Sequence, residues 1–159
     1  MALDEVTPEA RLEALGIALP PAPEPVATYV GVVTVDNLAF VSGHGPVENG
    51  VLAHIGRLGE DMDVTAGQQA ARNVALNILA TLKAELGELR RVERIVKLLV
   101  MVNSTPDFYE QPAVANGATD LFAQAFGEAR GISARSAVGM AVLPFGISVE
   151  IEGIVEIRT

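Results

Sequence analysis

A chain of 159 residues has the size of one domain, long enough to bury roughly two-thirds of the surface its unfolded form exposes. Half of the residues are hydrophobic and 19% are charged, with a mean hydropathy of +0.35, so part of the apolar surface is expected to need a neighbouring subunit rather than water. The net charge of -9 argues against a nucleic-acid partner, whose affinity would come from neutralising phosphates, and the lack of cysteine excludes disulfides, thiolate catalysis and sulfur-ligated metals.

Met1 to Pro8 carries two acids and neither the basic run nor the apolar core of a secretory leader. No apolar stretch approaches the ~20 residues of a membrane span. A soluble, cytoplasmic protein without membrane partners is therefore expected. Thr7-Pro8 predicts a helix start, with a hydroxyl cap and proline at the first helical position. Leu12 and Leu15 give that helix a short apolar stripe, and Gly16 suits its end. Leu19 to Pro25 is an extended proline-rich connector. Residues 1–25 thus form an arm, and residues 26–159 the domain.

The domain opens on a β-branched stretch, Tyr29 to Thr34, then the turn Asp36-Asn37 and a second strand, Leu38 to Val41. Ser42-Gly43-His44-Gly45-Pro46 is expected to break that strand sharply. A short strand and loops follow over Gly50 to Gly59. Asp63 or Thr65 caps a long helix to about Leu86, with apolar residues at Ala71, Val74, Ala75, Ile78, Leu79 and Leu82. Gly87 ends it. The basic cluster Arg90, Arg91, Arg94 and Lys97 is interleaved with Glu88 and Glu93, the spacing of a solvated helix-to-strand junction. Ile95 to Val102 is almost continuously apolar and predicts a central strand. Asn103 to Asp107 turns into a second helix around Val114 to Phe126. Two strands close the chain, Ser136 to Val142 and Ile147 to Ile157, joined by Leu143-Pro144-Phe145-Gly146. This order predicts an α+β fold: a single mixed sheet of about six strands, with two long helices on one face and a short N-terminal helix. A second copy of the chain is the natural cover for the other face.

Few residues offer chemistry. Arg135 begins a strand beside apolar sequence; its commoner role would be a surface salt bridge, while its sharper one is to hold a substrate carboxylate in a two-pronged fork. Glu150 and Glu152 share one face of the last strand. They are either an exposed sheet face or the source of a general acid/base beside the strand of Arg135, because strands joined by a tight turn pair up. Tyr29 suits core or rim, Asn116 a solvated amide, and His44 a loop histidine bonded to backbone. His54 is the only other imidazole, which disfavours a metal site. Gly43-His44-Gly45 lacks the spacing of a phosphate loop.

Taken together, Ala134-Arg135-Ser136, Leu143-Pro144 and Glu150-Ile151-Glu152 resemble the signature of the RidA/YjgF family, also called the L-PSP endoribonuclease family. Tyr29-Val30, Val41-Ser42-Gly43 and Val100 to Asn103 before Asp107-Phe108 fit the same pattern, over about Val26 to Ile157. The arm looks like that of a longer-chained subgroup. The resemblance implies a homotrimer of chorismate-mutase-like subunits, with small carboxylate-bearing ligands in clefts between them and no metal or organic cofactor. It implies hydrolysis of enamines and imines such as 2-aminoacrylate to 2-oxo acids and ammonia. In that scheme Arg135 holds the carboxylate, Glu150 places or activates water, Tyr29 and Asn116 line the cleft, and Ser42-Gly43 closes it. Three positions depart from the pattern: Ala137 replaces a common cysteine, Gly139 a common acid, and His44 a usual glutamine. His44 is expected to face the cleft and to lend ligand binding a pH dependence. A non-catalytic trimer that binds small carboxylates is the rival expectation, and a ribonuclease is opposed by the acidic charge.

Overall fold

The computed structural model describes residues 6–159, so the first five residues of the predicted arm lie outside the described residues. Helix α1, Pro8–Ala14, starts where predicted, with Thr7 accepting a hydrogen bond from the Ala10 amide. Leu12 is buried, and Glu9 accepts from the Leu89 amide at 2.7 Å. The arm is therefore docked on the domain at both its apolar and its charged face.

The strands are β1 Val32–Val35, β2 Leu38–His44, β3 Val47–Glu48, β4 Val51–Leu52, β5 Val92–Asn103, β6 Ala134–Met140 and β7 Val149–Ile157. The main sheet has five strands in the order β1-β2-β7-β5-β6, while β3 and β4 form a separate small hairpin. The helices are α2 Val64–Leu86, α3 Gln111–Phe126 and the short α4 Glu128–Gly131. Asp63 caps α2 through the Ala66 amide, and Gly87 stops it in a left-handed conformation. No helix among the described residues is long and apolar enough to cross a membrane.

Two expectations are corrected. Ser42 to Pro46 does not end β2: the strand runs on to His44 through a bulge, in which Val41 still faces Gly153 and His44 faces Ile151. One extra residue on β2 absorbs the irregularity, so pairing resumes instead of stopping. Nor do the last two strands form a hairpin. From β5 the chain returns through α3, which sets β6 parallel to β5 at the sheet edge. It then crosses to the opposite side of β5, where β7 lies antiparallel between β5 and β2. Asn103, at the end of β5, holds this crossing: its amide side chain donates to the Gly56 and Ile147 carbonyls. Phe145 and Gly146 turn the chain there with positive φ.

Both long helices cover one face of the sheet. Val41, Leu98, Val100, Val102, Ile151 and Val155 point inward and are buried with Val74, Ile78, Leu121 and Phe122 of the helices. The helices cross at very short range, since a methyl group on Gly117 would collide with the backbone carbonyl of Gln68. Gln68 donates to the Ala113 carbonyl across the same contact. The opposite face is open, with Val33, Phe40 and Val138 exposed.

The basic cluster sits at a short turn, Leu89–Arg91, and at the start of β5. Arg90 pairs with Glu88, Arg91 donates to the Leu86 and Arg158 carbonyls, and Arg94 reaches the Ala129 carbonyl. These cations tie chain segments together, as a helix-to-strand junction requires.

Candidate functional site

Arg135 pairs with Leu98 in the sheet, and so turns toward the helices rather than the open face. Its guanidinium donates to Thr119 Oγ1 and to the Pro112 carbonyl, each at 3.1 Å. Both partners are neutral, and among the described residues no carboxylate lies within ion-pair distance of it. The guanidinium is thus braced without being neutralised, and it keeps donors for an incoming anion. It lines a cleft of about 360 Å³ together with Asn116, Thr119, Asp120, Glu128 and Ser133. Ser133 Oγ is buried without a hydrogen-bond partner. Of the predicted residues, Asn116 and Arg135 come together here. Thr119 had a legible signal, standing three residues after Asn116 on the same helical face; Ser133 had none.

Glu150 lies elsewhere. It pairs with Met101 on β5, two strands from β6, roughly 10 Å in strand spacing. Its side chain is on the open face, so one sheet separates it from Arg135. The expectation that both share adjacent strands fails because β7 inserts between β2 and β5. Instead Glu150 packs on the β2 bulge, where a methyl group on Gly43 would collide with Glu150 Oε1. Ser42, its neighbour in the bulge, donates from Oγ to the Val30 carbonyl and from its amide to Gly31. Tyr29 precedes that contact and is exposed. Ser42, Gly43 and Glu150 therefore form a second group on the open face, flanked by Tyr29.

Burial pushes the Glu150 carboxyl above the ordinary glutamate range, and Glu152 pushes it the same way. The folded chain holds this proton more tightly than the unfolded chain, so folding stability declines as pH rises above the ordinary value of 4.5. Glu150→Gln, neutral at every pH, is expected to melt higher than the parent at pH 8, with the difference narrowing towards pH 4.5. Melting curves across that range check it; a lower melting temperature for the variant at pH 8 contradicts it.

His44 belongs to neither group. It is buried, with Nδ1 2.6 Å from the Ser42 carbonyl and Nε2 2.9 Å from Thr81 Oγ1 on α2. The ring does not face the open side, because the bulge turns it inward against the helix. Burial holds its pKa below the usual histidine value, more than the Ser42 carbonyl raises it. At Gly139 an added Cβ would meet Ser104 Oγ and Gln111 Nε2, which bond to each other at 3.2 Å. A serine–glutamine pair thus fills the space beside Gly139. Among the described residues no group of three or more His, Asp or Glu could hold a metal.

A mixed sheet covered on one face by two helices, with an arginine cleft at its edge, defines an α+β fold of the chorismate-mutase-like class. Residues 9–151 match the model of the YjgF/chorismate mutase-like endoribonuclease family, and the chain belongs to that family. It is 48% identical over 149 residues to Protein TCP17 of Trypanosoma cruzi, covering 94% of this chain and 93% of that one. The crystal structure of Atu1372 from Agrobacterium tumefaciens, a protein of unknown function, is 47% identical with a TM-score of 0.88 over 96% of this chain and 93% of that one. Escherichia coli TdcF, solved with bound serine, is 25% identical with a TM-score of 0.62, covering 87% and 94%.

Proposed function

We propose that the chain is a RidA-type hydrolase that converts small carboxylate-bearing enamines and imines, such as 2-aminoacrylate and its imine, to 2-oxo acids and ammonia. The observation that carries this reading is the Arg135 guanidinium, fixed by Thr119 and Pro112 in a cleft and engaged in no ion pair. A surface salt bridge would have neutralised it. Serine bound to TdcF is a ligand of the same size and charge class.

Because Arg135 and Glu150 lie on opposite faces of one sheet, a site using both takes them from two copies. The open face, with its exposed valines and Phe40, is the surface a neighbour would cover. In a trimer of this kind the carboxylate docks on Arg135, and Glu150 of the adjacent copy holds a water against the imine carbon. The water oxygen bonds to that carbon as Glu150 takes its proton. The proton then passes to the nitrogen, and the carbinolamine collapses to carbonyl and ammonia. A carboxyl whose proton affinity is raised by burial is suited to both transfers. The family's endoribonuclease label finds no support in charge: the net is -9, and the densest cations serve internal bonds.

The test is release of ammonia and 2-oxo acid from freshly generated 2-aminoacrylate. Acceleration over the spontaneous rate supports the hydrolase. Thermal stabilisation by 2-oxo acids without turnover would replace it with a non-catalytic carboxylate-binding trimer.

A further inference from the structure

His44 is the buried titratable group that the hydrolytic scheme leaves unused, and its bonds join the β2 bulge to α2. The β2 bulge places Ser42 and Gly43 beside Glu150, and it leaves the Ser42 carbonyl turned inward, out of the ladder with β7. A carbonyl only accepts, so His44 Nδ1 carries the hydrogen in the 2.6 Å contact with Ser42. Nε2 is then the bare nitrogen, and the Thr81 hydroxyl donates to it at 2.9 Å. The neutral imidazole is satisfied at both ends. It links the bulge to α2 much as a rigid strut would, while Ser42 Oγ fixes the bulge to Val30 on the other side. Gly31 closes the same corner, since a methyl group there would touch Thr81 Cγ2.

We infer that His44 is a positioning residue: together with Thr81 it sets where the Ser42-Gly43 backbone lies against the Glu150 carboxyl, without touching the ligand itself. The geometry supports this in three ways. Glu150 Oε1 lies so close to Gly43 that a side chain at Gly43 would displace the carboxyl. From Ser42 to His44 the inward side-chain bonds are those of His44, while Asn77 of α2 holds the carbonyls that follow, those of Gly45 and Val47. A glutamine amide could replace the imidazole, giving a donor to Ser42 and an acceptor to Thr81. The inference concerns the site assigned above, and its chemical role rests on that assignment; the positioning can be read without turnover.

The experiment compares the full-length parent with His44→Leu, His44→Gln and Thr81→Val. In each, the Glu150 side-chain carboxyl is followed by carbon-detected NMR titration in glutamate-labelled protein. His44→Leu and Thr81→Val are expected to bring the Glu150 titration down towards the ordinary glutamate range, because a loosened bulge admits water to the carboxyl. His44→Gln is expected to hold it at the parent position. With 2-aminoacrylate as substrate, the first two variants should lose on the order of tenfold in kcat at little changed KM, and His44→Gln should lose little. Thr81→Val is nearly isosteric and keeps the test open if His44→Leu fails to fold. An unmoved Glu150 titration in a folded Thr81→Val or His44→Leu protein overturns the positioning role. A shifted titration in a protein whose parent shows no turnover leaves the positioning standing and removes the hydrolase.

Discussion

Replacing Arg135 by alanine is expected to lower kcat/KM on 2-aminoacrylate by about 10²–10⁴-fold. The estimate follows from two charge-assisted hydrogen bonds to the substrate carboxylate, at about 1.5–3 kcal/mol each, with each 1.4 kcal/mol worth a factor of ten. Arg135→Lys keeps the charge but loses the planar fork that Thr119 and Pro112 orient. It should fall between parent and alanine variant. Stability should change little in either case, because the guanidinium bonds one exposed carbonyl and one hydroxyl at the sheet edge. Steady-state rates with matched melting curves measure both quantities. An alanine variant that keeps the parental kcat/KM removes Arg135 from the site.

Gly117→Ala should produce the largest loss of stability. By helix propensity alone the substitution would gain about 1 kcal/mol. The new methyl group, however, would fall on the Gln68 carbonyl and Cα of the facing helix, and backbone cannot swing aside as a side chain can. Overpacking of this kind costs about 3 kcal/mol, and the steric term wins. Separating α2 and α3 would also stretch the Gln68 bond to Ala113. Denaturant unfolding with an unchanged m-value and a lowered midpoint is the expected signature. Gly139→Ala provides the contrast: its neighbours are the ends of the Ser104 and Gln111 side chains, which can move. A Gly117→Ala protein as stable as the parent would mean that the helices cross with slack.

Much of this architecture was legible because its signals are local. Thr7-Pro8 and Asp63 start helices where capping chemistry predicts, and the apolar run ending at Val102 is an interior strand of the sheet. The order of the strands is not local. The sequence suggests a four-residue hairpin link, Leu143 to Gly146, yet β6 and β7 are eight residues apart and the chain steps over β5, which contacts such as that of Asn103 with Ile147 reveal. His44 misled for a related reason. Flanking glycines suggest a loop, but Thr81, 37 positions away in sequence, holds the ring inside. Arg135 stands out in the sequence as part of the Ala134-Arg135-Ser136 motif, whereas its division from Glu150 depended on sheet order and could not be read.

On the proposed hydrolase reading, that division would give two inactive variants a way to repair each other. Arg135→Ala subunits still present an intact Glu150, and Glu150→Gln subunits an intact Arg135. Neither variant alone can build a complete cleft, whereas a mixed assembly joins one sound half from each. Unfolding the two variants together and refolding them as a mixture should recover part of the parental turnover, while mixing them without subunit exchange should recover none. Such complementation would arise from the sheet itself, which keeps Arg135 and Glu150 on opposite sides of every chain.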